Sequence, residues 1–255
     1  MQCTQEAAQK AATYYQAVDS LGGHFAVAQA LNAMSRNPSF KIYKEYLSAC
    51  LLREGPRSLL DIGCGLGTDL LDAQNLASGL KVLLGLDPSV QLLKTAEKRK
   101  EKQDSKGVAV GLVAGDALQL PVGNDKIDAI RVDRCLQHVD APSIVMRECY
   151  RCINPTEGVI VCAEPDWSTF AISHGNDQLA SEWPSNILNR DIAQQLPRLI
   201  TDSGFQITNH RRFRVEVAGL RDLSVIFGLS SAMLGDEPHV AATLDILVIS
   251  ATCSS

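Results

Sequence analysis

The sequence predicts an α/β fold, a mostly parallel sheet wound with helices on both faces, and three observations predict it. Short apolar runs alternate with helix-compatible segments between residues 58 and 163, a rhythm that suits βαβ units and not a bundle or a sandwich. One such run, carrying Leu59, Leu60 and Ile62, turns through glycines at alternate positions, Gly63, Gly65 and Gly67, into a helical stretch. Acidic residues stand where successive runs end, at Asp61, Asp87, Asp116, Asp133 and Glu164. In an open α/β sheet, ligands lie outside the carboxyl ends of the strands, so these five acids are expected to face one rim.

The elements follow in order. Residues 1–56 read as helical: Gln5 to Val18 is rich in alanine and glutamine, Gly22-Gly23 breaks it, and Phe25 to Met34 resumes the pattern. After Asn37-Pro38, Phe40 to Leu52 places Tyr43, Tyr46, Leu47 and Cys50 on one helical face. These helices cannot bury their apolar side alone, so residues 1–56 are expected to pack as a cap on a main domain spanning 57–255. The first strand leads through the glycines to a helix over Asp69 to Leu76. Lys81 to Leu86 is the second strand, followed by a helix from Pro88-Ser89 to about Gln103 that buries Leu92, Leu93 and Ala96. Val108 to Val113 and Ile127 to Val132 are strands three and four, and Pro142 to Cys152 is a helix closed by Asn154-Pro155. Gly158 to Ala163 is the fifth strand, with Glu164-Pro165-Asp166-Trp167 just past its end. A helix over Ile192 to Ser203 and two strands, Phe205 to Val217 and Leu244 to Ala251, complete the sheet. The polar stretch 168–190 is either a lid or an ordinary surface excursion.

Totals exclude several function classes. The formal charge is −5 over 255 residues, which argues against a general nucleic-acid binder. Lys94, Lys98, Arg99, Lys100 and Lys102 cluster, but Glu97 and Glu101 interrupt them and make a solvated helix face. The eight cysteines show no disulfide framework, and Cys149 and Cys152 lack a second pair that would complete a zinc set, so core thiols and no metal are expected. No apolar run approaches membrane-spanning length and no signal sequence is visible, which predicts a cytoplasmic protein.

A strand turning sharply into a helix through glycines brings backbone N–H groups and a positive helix end to a ligand. The dinucleotide fingerprint puts its third glycine three positions after the second; that position is Thr68, and the glycine falls one residue early. Asp61 followed by Gly63, Gly65 and Gly67 resembles the first motif of class I S-adenosylmethionine-dependent methyltransferases. Asp87 ends the second strand, where a carboxylate can accept two hydrogen bonds from a ribose diol. Gly115-Asp116-Ala117 resembles a further element of these enzymes, whose aspartate accepts from the adenine amino group while the next N–H meets a ring nitrogen. Val132 to Val139 resembles the ubiquinone/menaquinone C-methyltransferase-like branch, in which Leu-x-His often precedes the next helix. The resemblance covers residues 58–165 by motif and the rest by pattern.

It implies a Rossmann-like, doubly wound, mostly parallel seven-stranded sheet with an antiparallel C-terminal strand and an N-terminal helical cap. The implied cofactor is S-adenosylmethionine, with S-adenosylhomocysteine as product, held by Asp61, Gly63, Gly65, Gly67, Asp87, Pro88, Asp116, Ala117, Asp133 and Arg134. Arg134 either pairs with the cofactor carboxylate or bridges Asp133 at the rim. His138 is either a general base or a loop histidine. Trp167 either lines the acceptor pocket or packs in the core, and Tyr14 and Tyr15 either close over the sulfonium or do the same. The expected activity is methyl transfer to carbon, oxygen or nitrogen of a small molecule. A cofactor-binding protein without methyl transfer and an NAD-dependent oxidoreductase are the alternatives.

Overall fold

A computed structural model describes residues 18–19, 23–103, 107–173, 180, 187–234 and 239–254. The helix read from Gln5, with Tyr14 and Tyr15, lies outside these residues up to Val18, as do 174–179 and 181–186 of the stretch read as a lid. Helices α1 (His24–Arg36) and α2 (Pro38–Leu52) precede strand β1 (Ser58–Ile62). Then come α3 (Thr68–Leu76), β2 (Val82–Asp87), α4 (Val90–Lys100), β3 (Ala109–Ala114) and β4 (Ala129–Asp133). A 3-10 turn at Leu136–His138 leads to α5 (Pro142–Cys152), β5 (Val159–Ile172), α6 (Ile192–Asp202) and β6 (Phe205–Ala218). Helices α7 (Leu220–Phe227) and α8 (Ser231–Leu234) precede β7 (Ala241–Cys253).

The seven strands form one sheet in the order β3-β2-β1-β4-β5-β7-β6. Strands β1 to β5 pair in parallel, and β7 runs antiparallel to both β5 and β6. The predicted sheet and its antiparallel C-terminal strand are therefore present. The order reverses at β1, with β2 on one side and β4 on the other, and at such a switch point the connecting loops part to leave a crevice.

Alternation along each strand divides the core. Leu59, Val161 and Ala163 face one layer with Tyr43 and Leu47 of α2 and Leu70 of α3. Leu60, Ile130 and Ile160 face the other with Val145 and Met146 of α5 and Leu196 of α6. A strand buried on both faces is apolar nearly throughout, which is why β1 and β4 read as near-continuous apolar runs, interrupted by Asp61 in one and Arg131 in the other. Helix starts follow local chemistry. Asn37 Oδ1 accepts from Ser39 N at 2.9 Å ahead of Pro38, and Ser89 Oγ accepts from Leu92 N at 3.1 Å.

Three elements differ from expectation. Strand β5 does not stop at Ala163 but runs to Ile172, taking in Glu164 to Trp167 and the first part of the supposed lid. Beyond Ala163 its partner is β7, with Glu164 opposite Leu247 and Asp166 opposite Asp245. Strand β4 has already ended there, so Pro165 breaks no ladder bond on that side. Helices α7 and α8 occupy a span that sequence periodicity leaves blank, because eight- and four-residue helices are too short to show a repeat.

Candidate functional site

A cavity of about 820 Å³ opens at the carboxyl ends of β1 to β5. Its floor begins at the glycine loop. Gly63, Gly65 and Gly67 all adopt positive φ, at 74°, 53° and 67°, a region L side chains avoid. A Cβ on Gly65 would also lie 3.0 Å from Leu31 Cδ1, because α1 passes directly over the loop. The loop is held from beneath: Gly63 N and Cys64 N donate to Leu86 O at 2.8 and 3.0 Å.

Asp87, at the end of β2, ties the loop to the neighbouring strand. Its Oδ2 accepts from Gly65 N at 2.8 Å and its Oδ1 from Ser89 N at 2.9 Å. Burial raises its pKa, and these two amide bonds oppose the rise. Pro88, Asp116 and Ala117 line the same cavity. Asp116 is exposed, and its Oδ1 accepts from Leu118 N at 2.9 Å.

At the centre lies an ionic cluster that sequence reasoning missed. Arg131, in β4, is 4% exposed and lines the cavity. Its Nη2 meets Asp133 Oδ2 at 2.6 Å and Asp69 Oδ2 at 2.9 Å, and its Nη1 lies 3.6 Å from Asp61 Oδ2. Lys44 from α2 adds a 2.6 Å bond to Asp69, and the Tyr43 hydroxyl reaches Asp133 Oδ1 at 3.2 Å. Burial disfavours all three carboxylates, but Arg131 and Lys44 more than offset it at Asp69, as Arg134 and Arg131 do at Asp133, so both stay below the usual range. Asp61 has the longest contact and is pushed up to about 7, burial outweighing Arg131. The available signal was Arg131 itself, a lone charge inside the apolar run Ile130-Arg131-Val132.

The turn after β4 carries the remaining predicted residues. Arg134 has φ 53°, uncommon for a side chain of its size. It sits 3.4 Å from Asp133 Oδ1, with its guanidinium 5.7 Å from the Phe40 ring centre. The strained turn is clamped on two sides. Glu164 Oε1 accepts from Cys135 N at 2.9 Å and Leu136 N at 2.6 Å, while Asn189 Nδ2 donates to Leu136 O and Val139 O at 2.8 and 2.7 Å. This corrects the expectation that Glu164 faces the rim with the other acids. It is fully buried, beneath the turn, and burial drives its pKa to about 8. The turn presents Gln137 and His138 to the cavity. Gln137 Oε1 accepts from Trp167 Nε1 at 2.9 Å, and both residues line the wall. Burial, helped by Arg134, lowers His138 to about 3, so its imidazole is neutral.

The roof comes from outside the central βα units. Helix α1 contributes Val27, Leu31 and Met34, and α7, packed against it, contributes Val225 and Phe227. Arg99 of α4 holds α1 down by bonding Asn32 Oδ1 at 2.7 Å and also contacts Thr68. Asp19 accepts from Ser89 Oγ at 2.6 Å, fastening the start of the cap beside Asp87. Among the described residues no cluster of His, Cys, Asp and Glu fits a metal ion, and no helix is long and apolar enough to cross a membrane.

Comparison with known proteins places this arrangement. A family model described as a methyltransferase domain matches residues 60–162. An uncharacterized 37.1 kDa protein in transposon TN4556 of Streptomyces fradiae is 31% identical over 182 residues, 69% of this chain and 51% of that protein. Demethylmenaquinone methyltransferase of Oceanobacillus iheyensis is 27% identical over 141 residues, 54% of this chain and 58% of its own length. The chain thus spans little more than half of these two relatives. Among solved structures, the N-methyltransferase NodS of Bradyrhizobium japonicum, in complex with S-adenosyl-L-homocysteine, superposes with a TM-score of 0.54 at 16% identity, covering 86% of this chain and 90% of that one.

Proposed function

We propose that this chain, which carries a class I S-adenosylmethionine-dependent methyltransferase fold, transfers a methyl group from S-adenosylmethionine to carbon, oxygen or nitrogen of a small molecule. The observation that carries the reading is one cavity lined side by side by Gly63 and Gly65 of the glycine loop, Asp87, Asp116, Asp133 and Arg134, with Gly67 facing Ala96 of α4 instead. The residues present fit such a cofactor. A carboxylate offers about four acceptor sites, and two bonds to Asp87 leave capacity for a ribose diol. Exposed Asp116 supplies the acceptor that an exocyclic amine requires, with Ala117 next to it. The cluster around Arg131, Asp61 and Asp133 offers both signs of charge to an amino-acid zwitterion.

The bound sulfonium supplies an electrophilic methyl group and leaves as a neutral thioether, so no protein acid needs to assist departure. The protein's part is alignment in a cavity whose dipoles are already fixed. The clamp on the turn at 134–139 serves this by immobilising Gln137 and His138. Neutral His138 is assigned the acceptor-side role of proton acceptor, though with a conjugate acid near 3 it is a weak base and suits only an acidic proton. The assignment predicts that His138→Ala removes most turnover and leaves cofactor affinity intact; normal turnover would end it.

Within the fold we assign the chain to the ubiquinone/menaquinone C-methyltransferase-like branch, supported by Leu136-Gln137-His138 and by the likeness to demethylmenaquinone methyltransferase. A division into a cap over 1–56 and a methyltransferase domain over 57–255, and a cytoplasmic place of action, belong to the same proposal. The test is incubation with methyl-labelled S-adenosylmethionine and an extract of the source organism, followed by mass spectrometry of the labelled product. Binding of the cofactor with no labelled product would favour a binding protein without methyl transfer. Binding of NADH but not of S-adenosylmethionine would favour an oxidoreductase.

A further inference from the structure

We propose that the outer groove between α1 and α7 is a second binding site, for a small ligand bearing a phosphate dianion, and that its occupation ties these two helices together over the cavity. The groove encloses about 610 Å³, a size that suits a small molecule. Helix α1 lines it with Gln29, Asn32 and Arg36, and α7 with Arg221, Asp222 and Val225. The same helices turn Leu31, Met34 and Phe227 into the cavity, and Val225 borders both spaces. Groove and cavity therefore stand back to back, with the packing of α1 on α7 between them.

The positive charge of the groove is unmatched. In the cavity the arginines meet acids: Arg131 is shared by three aspartates, and Arg134 meets Asp133. Arg36 and Arg221 are exposed, and among the described residues neither guanidinium has an ion-pair or hydrogen-bond partner. Asp222 also lines the groove, but it bonds neither arginine; it stands in the first turn of α7, where a carboxylate suits the helix end. The amide side chains add donors. Asn32 Oδ1 accepts from Arg99 Nη2 at 2.7 Å, which leaves its Nδ2, a donor, for the groove. Each guanidinium is a planar fork that grips two oxygens of one anion. A phosphate monoester offers three acceptor oxygens and a charge near −2 above its second pKa of about 6, whereas a carboxylate offers two oxygens and a single charge. A dianion bonded to Arg36 of α1 and Arg221 of α7 links the two roof helices, so its binding and that of a ligand in the cavity favour the same closed arrangement. The site itself does not depend on the methyl-transfer reading; its coupling to the cofactor does.

Two probes that share a ring, phenyl phosphate and benzoate, test the idea by calorimetric titration into the full chain at about pH 7.5. The titrations are run with saturating S-adenosylhomocysteine and again without it. Phenyl phosphate is expected to bind at one site, about tenfold or more tighter than benzoate. Arg36→Gln and Arg221→Gln should each weaken it by about tenfold or more, and Asp222→Asn should tighten it. Arg147→Gln, which alters an exposed arginine outside the groove, should leave it unchanged. Phenyl phosphate should bind about fivefold or more tighter when S-adenosylhomocysteine is present, and S-adenosylhomocysteine should gain the same factor from phenyl phosphate. No binding, binding no tighter than that of benzoate, or unchanged affinity in both groove variants overturns the site. Equal affinity with and without S-adenosylhomocysteine overturns the tie between the helices, and weaker affinity with it puts the probe in the cavity and overturns the site. If S-adenosylhomocysteine itself fails to bind, the donor reading falls, and the arginine variants still decide the groove.

Discussion

Asp87 bears two loads. One is to fasten the loop through Gly65 N and Ser89 N, and the other, in the proposed complex, is to accept the ribose hydroxyls. Hydrogen bonds to a charged group are worth about 1.5–3 kcal/mol each. Asp87→Ala is therefore expected to weaken S-adenosylmethionine binding by about tenfold or more in calorimetric titration. Asp87→Asn keeps one oxygen for one of the two loop amides but turns an NH2 donor toward the other, so it should lose thermal stability, read as a lower melting temperature, as well as affinity. Unchanged affinity in the alanine variant would remove Asp87 from the site. Arg131 shows the converse case, a side chain whose importance comes wholly from its neighbours. Removing it would leave Asp61, Asp69 and Asp133 buried against one another, the kind of change that costs about 3–5 kcal/mol.

At the scale of the element, the glycine loop and α1 form a single packed unit. Gly65 has φ 53° and Leu31 Cδ1 sits where a Cβ would need space. Gly65→Ala should lower unfolding free energy by about 1–2 kcal/mol from the left-handed backbone alone, and should also displace α1 from the loop. Urea denaturation reads the first effect and cofactor titration the second. A variant as stable and as tightly binding as the parent would show that α1 does not depend on the loop's close approach. Strand β5 makes a related point about length. Its sequence up to Ala163 announces a strand, whereas its continuation through Pro165 to Ile172 exists because β7 lies alongside.

Across the whole molecule, buried carboxylates shift stability with pH in two directions. Asp61 and Glu164 are raised to about 7 and about 8, against ordinary values of about 3.9 and 4.3. Such groups hold their protons in the folded state, so their contribution is complete below the ordinary pKa and is lost as pH rises through the raised one. Asp69 and Asp133 are lowered, and their contribution is lost as pH falls below the ordinary range. Thermal stability is therefore expected to decline from about pH 5 to about pH 8 and to fall again in acid. Glu164→Gln keeps an oxygen for the turn but cannot ionise, so melting curves of this variant should show a shallower decline on the alkaline side. A slope identical to that of the parent would mean that Glu164 already ionises freely in the fold.

The sequence by itself determined the strand-and-helix alternation, the glycine loop, and the aspartates at the tips of β1 to β4. Each depends on chemistry within a few residues: apolar continuity for a strand buried on both faces, positive φ for a sharp turn, and the end of a run for a strand tip. Tertiary structure alone decided which charge meets which. Arg131 finds Asp61 and Asp69 across neighbouring elements, and Glu164 turns from the rim to the amides of Cys135 and Leu136. It also decided that α7 closes over the cavity and that β5 outlasts β4. The physical reason is that a buried charge or an extended strand is stabilised by partners far away in the chain, as Asp166 is set opposite Asp245, and no local pattern records the identity of a distant partner.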